Sequence, residues 1–349
     1  MLFDTLIQRY RQTRKAKFLA SPVRFGDEFA FIGVGMHSLQ NLYPVLQQLG
    51  IRLRWIHSRT LTNATAVAER FQGAKGTGNL DDILKDPKVK HVFICAHHSV
   101  QQEILSKCIS AGKNCWVEKP VAKNSAELLI LIELQVRHNV TVVAGHQKRC
   151  APCYQKLQGR MGKPQTYMLS YLTGVYPEGD ALSDIFIHPL DLAVFLFGPV
   201  TKLQAEAKGE KGQQAIFAIL KHENGVLGNL ELSSASDWRN SKETLKVDCD
   251  NGKYESENFR SLRFSRRGKK LMGIPLEKIL DSAIEEKILF SASGFLPEFN
   301  HNEIFLGGYY GSLLDFAVAV SSGDKSIQPQ PKDLLPTFKL MDQLREIVK

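Results

Sequence analysis

The sequence predicts an α/β protein in two parts: a doubly wound parallel sheet, then an α+β unit with a large open, mostly antiparallel sheet. Three observations carry this. Apolar runs alternate with helical patterns up to about residue 150. A glycine turn, Gly33-Val34-Gly35, follows the first of those runs. Beyond residue 150 the runs become short and often alternating, punctuated by Gly225, Asp250-Asn251-Gly252 and Arg267-Gly268, with Asn251-Gly252 a strong hairpin signal. A chain of 349 residues is also too long for one small core.

In the first part, 29–34 reads as a buried strand whose glycines turn the chain into a helix, and 51–57 as a second strand. Helical stretches at 64–71 and 81–84 precede a strand at 91–96. A helix at 99–111, a strand at 114–117, a helix at 124–138 and a strand at 140–145 complete the alternation. In the second part, strands are expected at 164–172, 200–207, 214–221, 226–234, 243–249 and 260–265, with a covering helix around 189–197. Amphipathic helices follow at 309–320 and 333–348, and 266–305, which lacks clean periodicity, reads as an insertion or lid. The expected boundaries are a basic extension over 1–26, a first domain over 27–147 and a second over 148–349. The second domain's last helix is expected to pack back on the first.

Composition narrows the class. The hydrophobic fraction of 43% and charged fraction of 23% are those of a soluble globular protein. No apolar run approaches the ~18 residues that span a bilayer. The net charge of +9 is partly local. Arg9, Arg11, Arg14, Lys15, Lys17 and Arg24 face one acid, Asp4, and Phe3, Leu6, Ile7 and Tyr10 fall on one helical stripe. That segment reads as a docking helix in preference to a membrane-surface helix or a cleaved address. No helix-turn-helix, zinc or aromatic-platform pattern supports nucleic-acid binding. Six scattered cysteines suggest reduced thiols and a cytoplasmic setting. Cys150-Ala151-Pro152-Cys153 has redox-pair spacing without the strand that such a motif follows.

The chemistry begins at Gly33-Val34-Gly35-Met36-His37-Ser38, a GxGxxG variant ending in serine. The first glycine permits the tight turn and the second a close backbone approach, so that amides at the helix start face a pyrophosphate. Met36, His37 and Ser38 are therefore candidate cofactor contacts, with an exposed first-turn residue as the plainer reading of His37. At the end of the second strand, Ser58, Arg59 and Thr60 stand where a carboxylate would read the ribose of NAD; hydroxyls and a guanidinium suit a 2′-phosphate and favour NADP(H) over NAD(H). Ala96, His97 and Ser99 end the strand that should lie beside the cofactor. His97 and His98, adjacent on extended chain, should point opposite ways. A zinc site from Cys95, His97 and His146 is disfavoured, and no metal is expected.

Gly33-x-Gly35, Glu118-Lys119-Pro120 and Asp184-x-x-x-His188-x-x-Asp191 together resemble the Gfo/Idh/MocA oxidoreductases, relatives of glucose–fructose oxidoreductase and inositol dehydrogenase. The likeness runs over nearly the whole chain from about residue 27, and Gly145-His146-Gln147-Lys148-Arg149 resembles the segment joining that family's two domains. It implies a Rossmann domain and a nicotinamide cofactor. It implies that Lys119 hydrogen-bonds the reacting oxygen, that Glu118 fixes its loop and that Pro120 is cis. His188 becomes the acid/base, since imidazole titrates near neutrality, and Asp184 either contacts the substrate or tunes the pair. Pro189 leaves the helical geometry between those two open. Asp191 is expected to cap or orient the following helix. Phe186 replaces a frequent glycine and would narrow the pocket or simply pack. Gln147 is a candidate nicotinamide contact, and Lys148 and Tyr171 candidate contacts to a sugar-like substrate.

The function expected is hydride transfer between a nicotinamide and a secondary alcohol or ketone of a sugar, inositol or related substrate. The rival is a non-catalytic dinucleotide-binding sensor or scaffold. Pairing of subunits over the open sheet, as dimer or tetramer, is implied by the resemblance.

Overall fold

The computed structural model describes residues 2–19, 25–210, 212–279, 285–292, 295 and 301–348. It opens with α1 (Leu2–Leu19), whose stripe residues Phe3, Leu6, Ile7 and Tyr10 are exposed. Arg24 and the link over 20–24 lie outside the described residues.

Six strands form the first sheet: β1 (Glu28–Ile32), β2 (Leu53–His57), β3 (Lys75–Thr77), β4 (Val89–Ile94), β5 (Asn114–Glu118) and β6 (Val142–Gly145). All pairings are parallel, in the order β3-β2-β1-β4-β5-β6. The order reverses between β1 and β4, and the crevice at such a switch point is where open α/β sheets bind ligands. The crossovers are α2 (Tyr43–Gln48), α3 (Leu61–Ala68), α4 (Asp81–Leu84), α5 (His98–Ser110) and α6 (Ser125–His138). Their strands are apolar on both faces because both are covered. Ala30, Ile32, Val92, Ile94 and Val117 belong to one core cluster, and their neighbours Phe29, Phe31, Phe93 and Trp116 to the other.

The second sheet has eight strands. They are β7 (Pro164–Gly174), β8 (Val200–Glu210), β9 (Gln213–His222), β10 (Leu227–Ser236), β11 (Lys242–Cys249), β12 (Gly252–Glu257), β13 (Ser261–Arg266) and, after a two-strand hairpin of β14 (Lys270–Leu271) and β15 (Ile274–Pro275), β16 (Glu286–Ser291). The order is β16-β13-β12-β11-β7-β10-β9-β8; β7 and β10 run parallel and every other pairing is antiparallel. Helices α7 (Pro152–Gln158), α8 (Ile187–Phe197) and α11 (Leu335–Val348) pack on one face. The other face exposes Met168, Phe217, Ile219 and Leu227.

The last helices tie the two sheets together. After α9 (Glu303–Leu306), α10 (Tyr309–Ser322) lies on the parallel sheet, where Ser312 accepts the buried Trp116 indole N–H at 3.0 Å. Helix α11 meets α6, with Asp342 accepting the Ser125 N–H at 2.9 Å. Within 266–305, residues 280–284, 293–294 and 296–300 lie outside the described residues, while β16 joins the sheet edge beside β13.

Candidate functional site

The glycine turn is locked from below. Gly33 has φ +114°, and a Cβ there would fall 1.9 Å from the Cys95 carbonyl oxygen, so only glycine fits against the end of β4. At Gly35 a Cβ would meet nothing within 4 Å, leaving the backbone open to a close approach from outside. Ser38 is fully buried. Its hydroxyl accepts the Gly35 N–H at 3.0 Å and donates to the Gly35 carbonyl at 2.9 Å, so it knits the turn and does not face a ligand. Met36 is exposed. His37 reaches across the sheet end, with Nε2 3.1 Å from Glu118 Oε1.

Glu118 closes β5 and is buried; its other oxygen accepts the Lys119 N–H at 2.8 Å. The Lys119–Pro120 bond is cis. Gln101, buried on α5, accepts the Ala96 N–H at 3.1 Å and donates to the carbonyls of Glu118 at 2.6 Å and Pro120 at 3.1 Å. The main chain on both sides of Lys119 is thereby held. The Lys119 ammonium donates to the main-chain carbonyl of Asp184 at 2.6 Å.

The Asp184 carboxylate turns the other way. It accepts the Tyr176 hydroxyl at 3.3 Å and the Asp180 N–H at 3.2 Å, and it lines a hollow with Pro120, Ser183 and Arg345. His188 lines a different hollow, of about 520 Å³. The two lie on one helical path: a wide π-turn over Leu182–Phe186 runs directly into α8, and Pro189 is accommodated in the first turn after it. Phe186 is fully buried and packs.

The larger hollow gathers His188, Gln147, Lys148, Tyr171, Glu243, Phe259, Tyr309 and Asn41, from the ends of both sheets. Lys148 is buried, its ammonium 4.3 Å from the Tyr171 ring centroid and paired with Glu243, whose other oxygen accepts the Tyr154 hydroxyl. His188 is pushed well below the usual histidine value by burial and by the charges of Lys119 and Lys148. It is a neutral imidazole at pH 7, with both cations near enough to act on it. Burial raises the Tyr171 and Tyr309 hydroxyls, so both stay protonated.

Below this hollow, Arg149 makes a two-bond buried pair with Asp191, at 2.8 and 2.6 Å, and Thr337 donates to the same carboxylate at 3.0 Å. Burial would raise Asp191, but His146 and Arg149 outweigh it and hold the carboxyl low. Asp191 therefore does not cap α8; it anchors the Gln147–Cys150 turn to α8 and α11.

The residues fit a dinucleotide. The open Gly35 face admits a diphosphate, and Gln147 Oε1 is buried without a partner among the described residues while its amide donates to Tyr309 at 3.2 Å. A free buried acceptor at the end of β6 suits a carboxamide N–H.

Residues 28–146 match the model of an oxidoreductase family with an NAD-binding Rossmann fold, and residues 157–255 match the GFO/IDH/MocA C-terminal domain. Together the matches take in more than half of the chain. The chain belongs to the Gfo/Idh/MocA family. A myo-inositol 2-dehydrogenase from Thermotoga maritima is 23% identical over 232 residues, 59% of this chain and 69% of that enzyme. A trans-1,2-dihydrobenzene-1,2-diol dehydrogenase from Xenopus laevis is 25% identical over 185 residues, 49% of this chain; the match spans about half of that relative, 53%. An oxidoreductase from Agrobacterium radiobacter, solved with NAD+, L-tartaric acid and magnesium, superposes with a TM-score of 0.76 at 18% identity, over 92% of this chain and 95% of that one. At that identity the likeness is one of fold.

Within this Gfo/Idh/MocA framework several expectations change. His97 and His98 do not point apart: their ring centroids are 4.0 Å apart, because the chain leaves the strand there and enters α5. His97 caps that helix, accepting the Ser99 N–H at 3.3 Å and lying 2.8 Å from its hydroxyl. Among the described residues no group of three or more His, Cys, Asp or Glu side chains could hold a metal ion. The Cys150 and Cys153 thiols do not pair; burial pushes them up to about 12 and about 11. Arg59 is exposed with no hydrogen bond or ion pair among the described residues, and Ser58 Oγ accepts the Thr60 N–H at 3.3 Å. One carboxylate does approach this end of β2: Asp82 of α4, bonded by Thr77 at 2.5 Å and acting on His57. It was hidden because it lies in a separate segment from the strand. Tyr309, Glu243 and Tyr154 were missed for the same reason; none sits in a motif.

Proposed function

We propose that the protein is a nicotinamide-dependent oxidoreductase acting on a secondary alcohol or ketone of a sugar-like substrate, with NADP(H) preferred. The observation that carries the reading is the neutral, half-buried His188 in a hollow at the junction of the two sheets, with the ammonium groups of Lys119 and Lys148 acting on it. When bound, the nicotinamide supplies or accepts hydride. Gly33, Gly35 and the amides of Met36 and His37 receive the diphosphate, as helix starts do. Gln147 orients the carboxamide. His188 takes the hydroxyl proton in oxidation and returns it in reduction; its depressed affinity for protons leaves it free to accept one at neutral pH. Lys119 stabilises the developing alkoxide, exchanging its Asp184 carbonyl partner for the substrate oxygen. Asp184 acts as a holder of Lys119 and of the Tyr176 segment. Tyr171 and Phe259 offer ring faces to a sugar, and Lys148 offers a cation.

The NADP preference rests on Arg59, exposed beside Ser58 and with no partner among the described residues. Asp82 is already engaged by Thr77. Fluorescence titration should give tighter binding of NADPH than of NADH; the reverse order removes the preference but not the fold-level site. Lys119→Ala should abolish turnover of a responsive polyol or ketone while dinucleotide binding persists. Binding without turnover across a broad substrate panel by the unaltered protein would instead support a sensor.

The unpaired thiols support a cytoplasmic setting. Among the described residues no helix is long and apolar enough to cross a membrane. The exposed Met168, Phe217, Ile219 and Leu227 support pairing through the open sheet face, as a homodimer or homotetramer. Sedimentation showing only monomer at micromolar concentration would count against that.

A further inference from the structure

A histidine of the glycine turn, His37, bonds Glu118, the residue beside the lysine. Glu118 is 3% exposed, so each of its oxygens needs a donor. One has the Lys119 N–H at 2.8 Å; the other has His37 Nε2 at 3.1 Å. The imidazole is itself fixed. Asn41 Nδ2 donates to His37 Nδ1 at 3.2 Å, which places the ring proton on Nε2, facing the carboxylate. The Tyr309 ring lies 5.6 Å away. Since Gln101 clamps the main chain on both sides of Lys119, the Glu118 carboxylate is the side-chain link between the turn and the lysine.

We propose that His37 is a positioning residue that couples occupancy of the dinucleotide turn to the order of the Lys119 loop, through Glu118. The inference rests on the cofactor reading above and adds to it. His37 follows the open Gly35 by two residues and remains partly exposed. A diphosphate seated on the turn immobilises the turn and the imidazole with it. The Glu118 carboxylate is then held in the rotamer that accepts the Lys119 N–H. Without the imidazole, one oxygen of a buried carboxylate has no partner; the side chain turns toward another donor or toward water, and the Lys119 N–H is released.

Hydrogen exchange read by mass spectrometry tests this, with ADP-ribose as the probe. ADP-ribose carries the diphosphate but no nicotinamide ring, so it does not protect the lysine loop by direct contact with the ring. In the unaltered protein, saturating ADP-ribose should slow exchange in peptides covering 34–42 and also in peptides covering 117–123. H37A should keep the first protection and lose the second. H37Q, whose amide can donate to Glu118, should regain most of it, and E118Q should lose it independently. The inference is overturned if H37A keeps the ligand-induced protection of 117–123, even with faster exchange in the ligand-free state, since that pattern marks a purely structural role. It is equally overturned if the unaltered protein protects 34–42 but never 117–123. If neither segment responds to ADP-ribose, NADH or NADPH, the cofactor reading fails and this inference fails with it.

Discussion

The two sheets carry their candidate site residues by different rules. On the parallel-sheet side, the working groups are close neighbours in sequence: Gly33 to Ser38 form one turn, and Glu118 to Pro120 one loop. Only Gly35 leaves its backbone open to approach from outside, and Arg59 has no partner among the described residues. On the antiparallel-sheet side, Lys148, Tyr154, Tyr171, His188 and Glu243 come from five separate places, and their charges are already paired or buried. The difference fits the proposed reading, in which the first side receives a ligand whose charges are fixed and the second surrounds one imidazole with prearranged charges.

That contrast can be broken most directly at Gly33. Gly33→Ala drives a methyl group into the Cys95 carbonyl, and dinucleotide binding should be lost in a fluorescence titration; retained affinity would show that the turn is not the receptor. Next, His188→Gln should lower kcat by roughly 10²–10⁴ with dinucleotide affinity unchanged, whereas a parallel loss of affinity would place His188 in the receptor side. Arg149→Met leaves the buried Asp191 carboxylate without its main partner and should cost about 3–5 kcal/mol in denaturant unfolding; a loss below ~1 kcal/mol would mean that the anchor under the hollow is not a buried ion pair.

The smallest effect sharpens the contrast through pH. The folded state holds His188 well below the usual histidine value, so the unfolded chain binds the proton first. Stability should therefore fall as pH drops below about 6.5. His57, His91 and His222, also lowered chiefly by burial, add to the same trend. Asp191 is held low and stays ionised there, so its contribution is lost only at more acid pH. In the alcohol-oxidising direction, the acid limb of kcat/KM should lie below pH 6.5; a limb at or above that value would mean that Lys119 and Lys148 do not act on the imidazole.

How much of this was legible follows from where the signals lie. The parallel sheet could be read strand by strand because both faces are covered and its strands are largely apolar, although polar residues interrupt β2 and β4 and the three-residue β3 is too short to show. Strand β12 went unseen because its inward positions are Gly252, Tyr254 and Ser256, two of them lacking an apolar side chain, so the alternation carries no hydrophobic signature. Strand β16 sits at the sheet edge with three exposed residues in a row. The histidine pair departs from the alternation of extended chain for a local reason: a helix begins at His98. The acid four residues before His188 shares its helical path, yet spacing does not say which partner its carboxylate takes.

The sequence by itself determined the parallel sheet, its glycine turn and the family, because a tight turn, a buried strand and a short tripeptide loop are local structures whose requirements fall on adjacent residues. Only the tertiary structure decided that Glu243 and Tyr154 steady Lys148, that Asp184 holds Lys119 by its carbonyl, and that His37 reaches Glu118. Those contacts join residues far apart in the chain, and strand register and helix packing, not spacing, bring them within hydrogen-bonding distance.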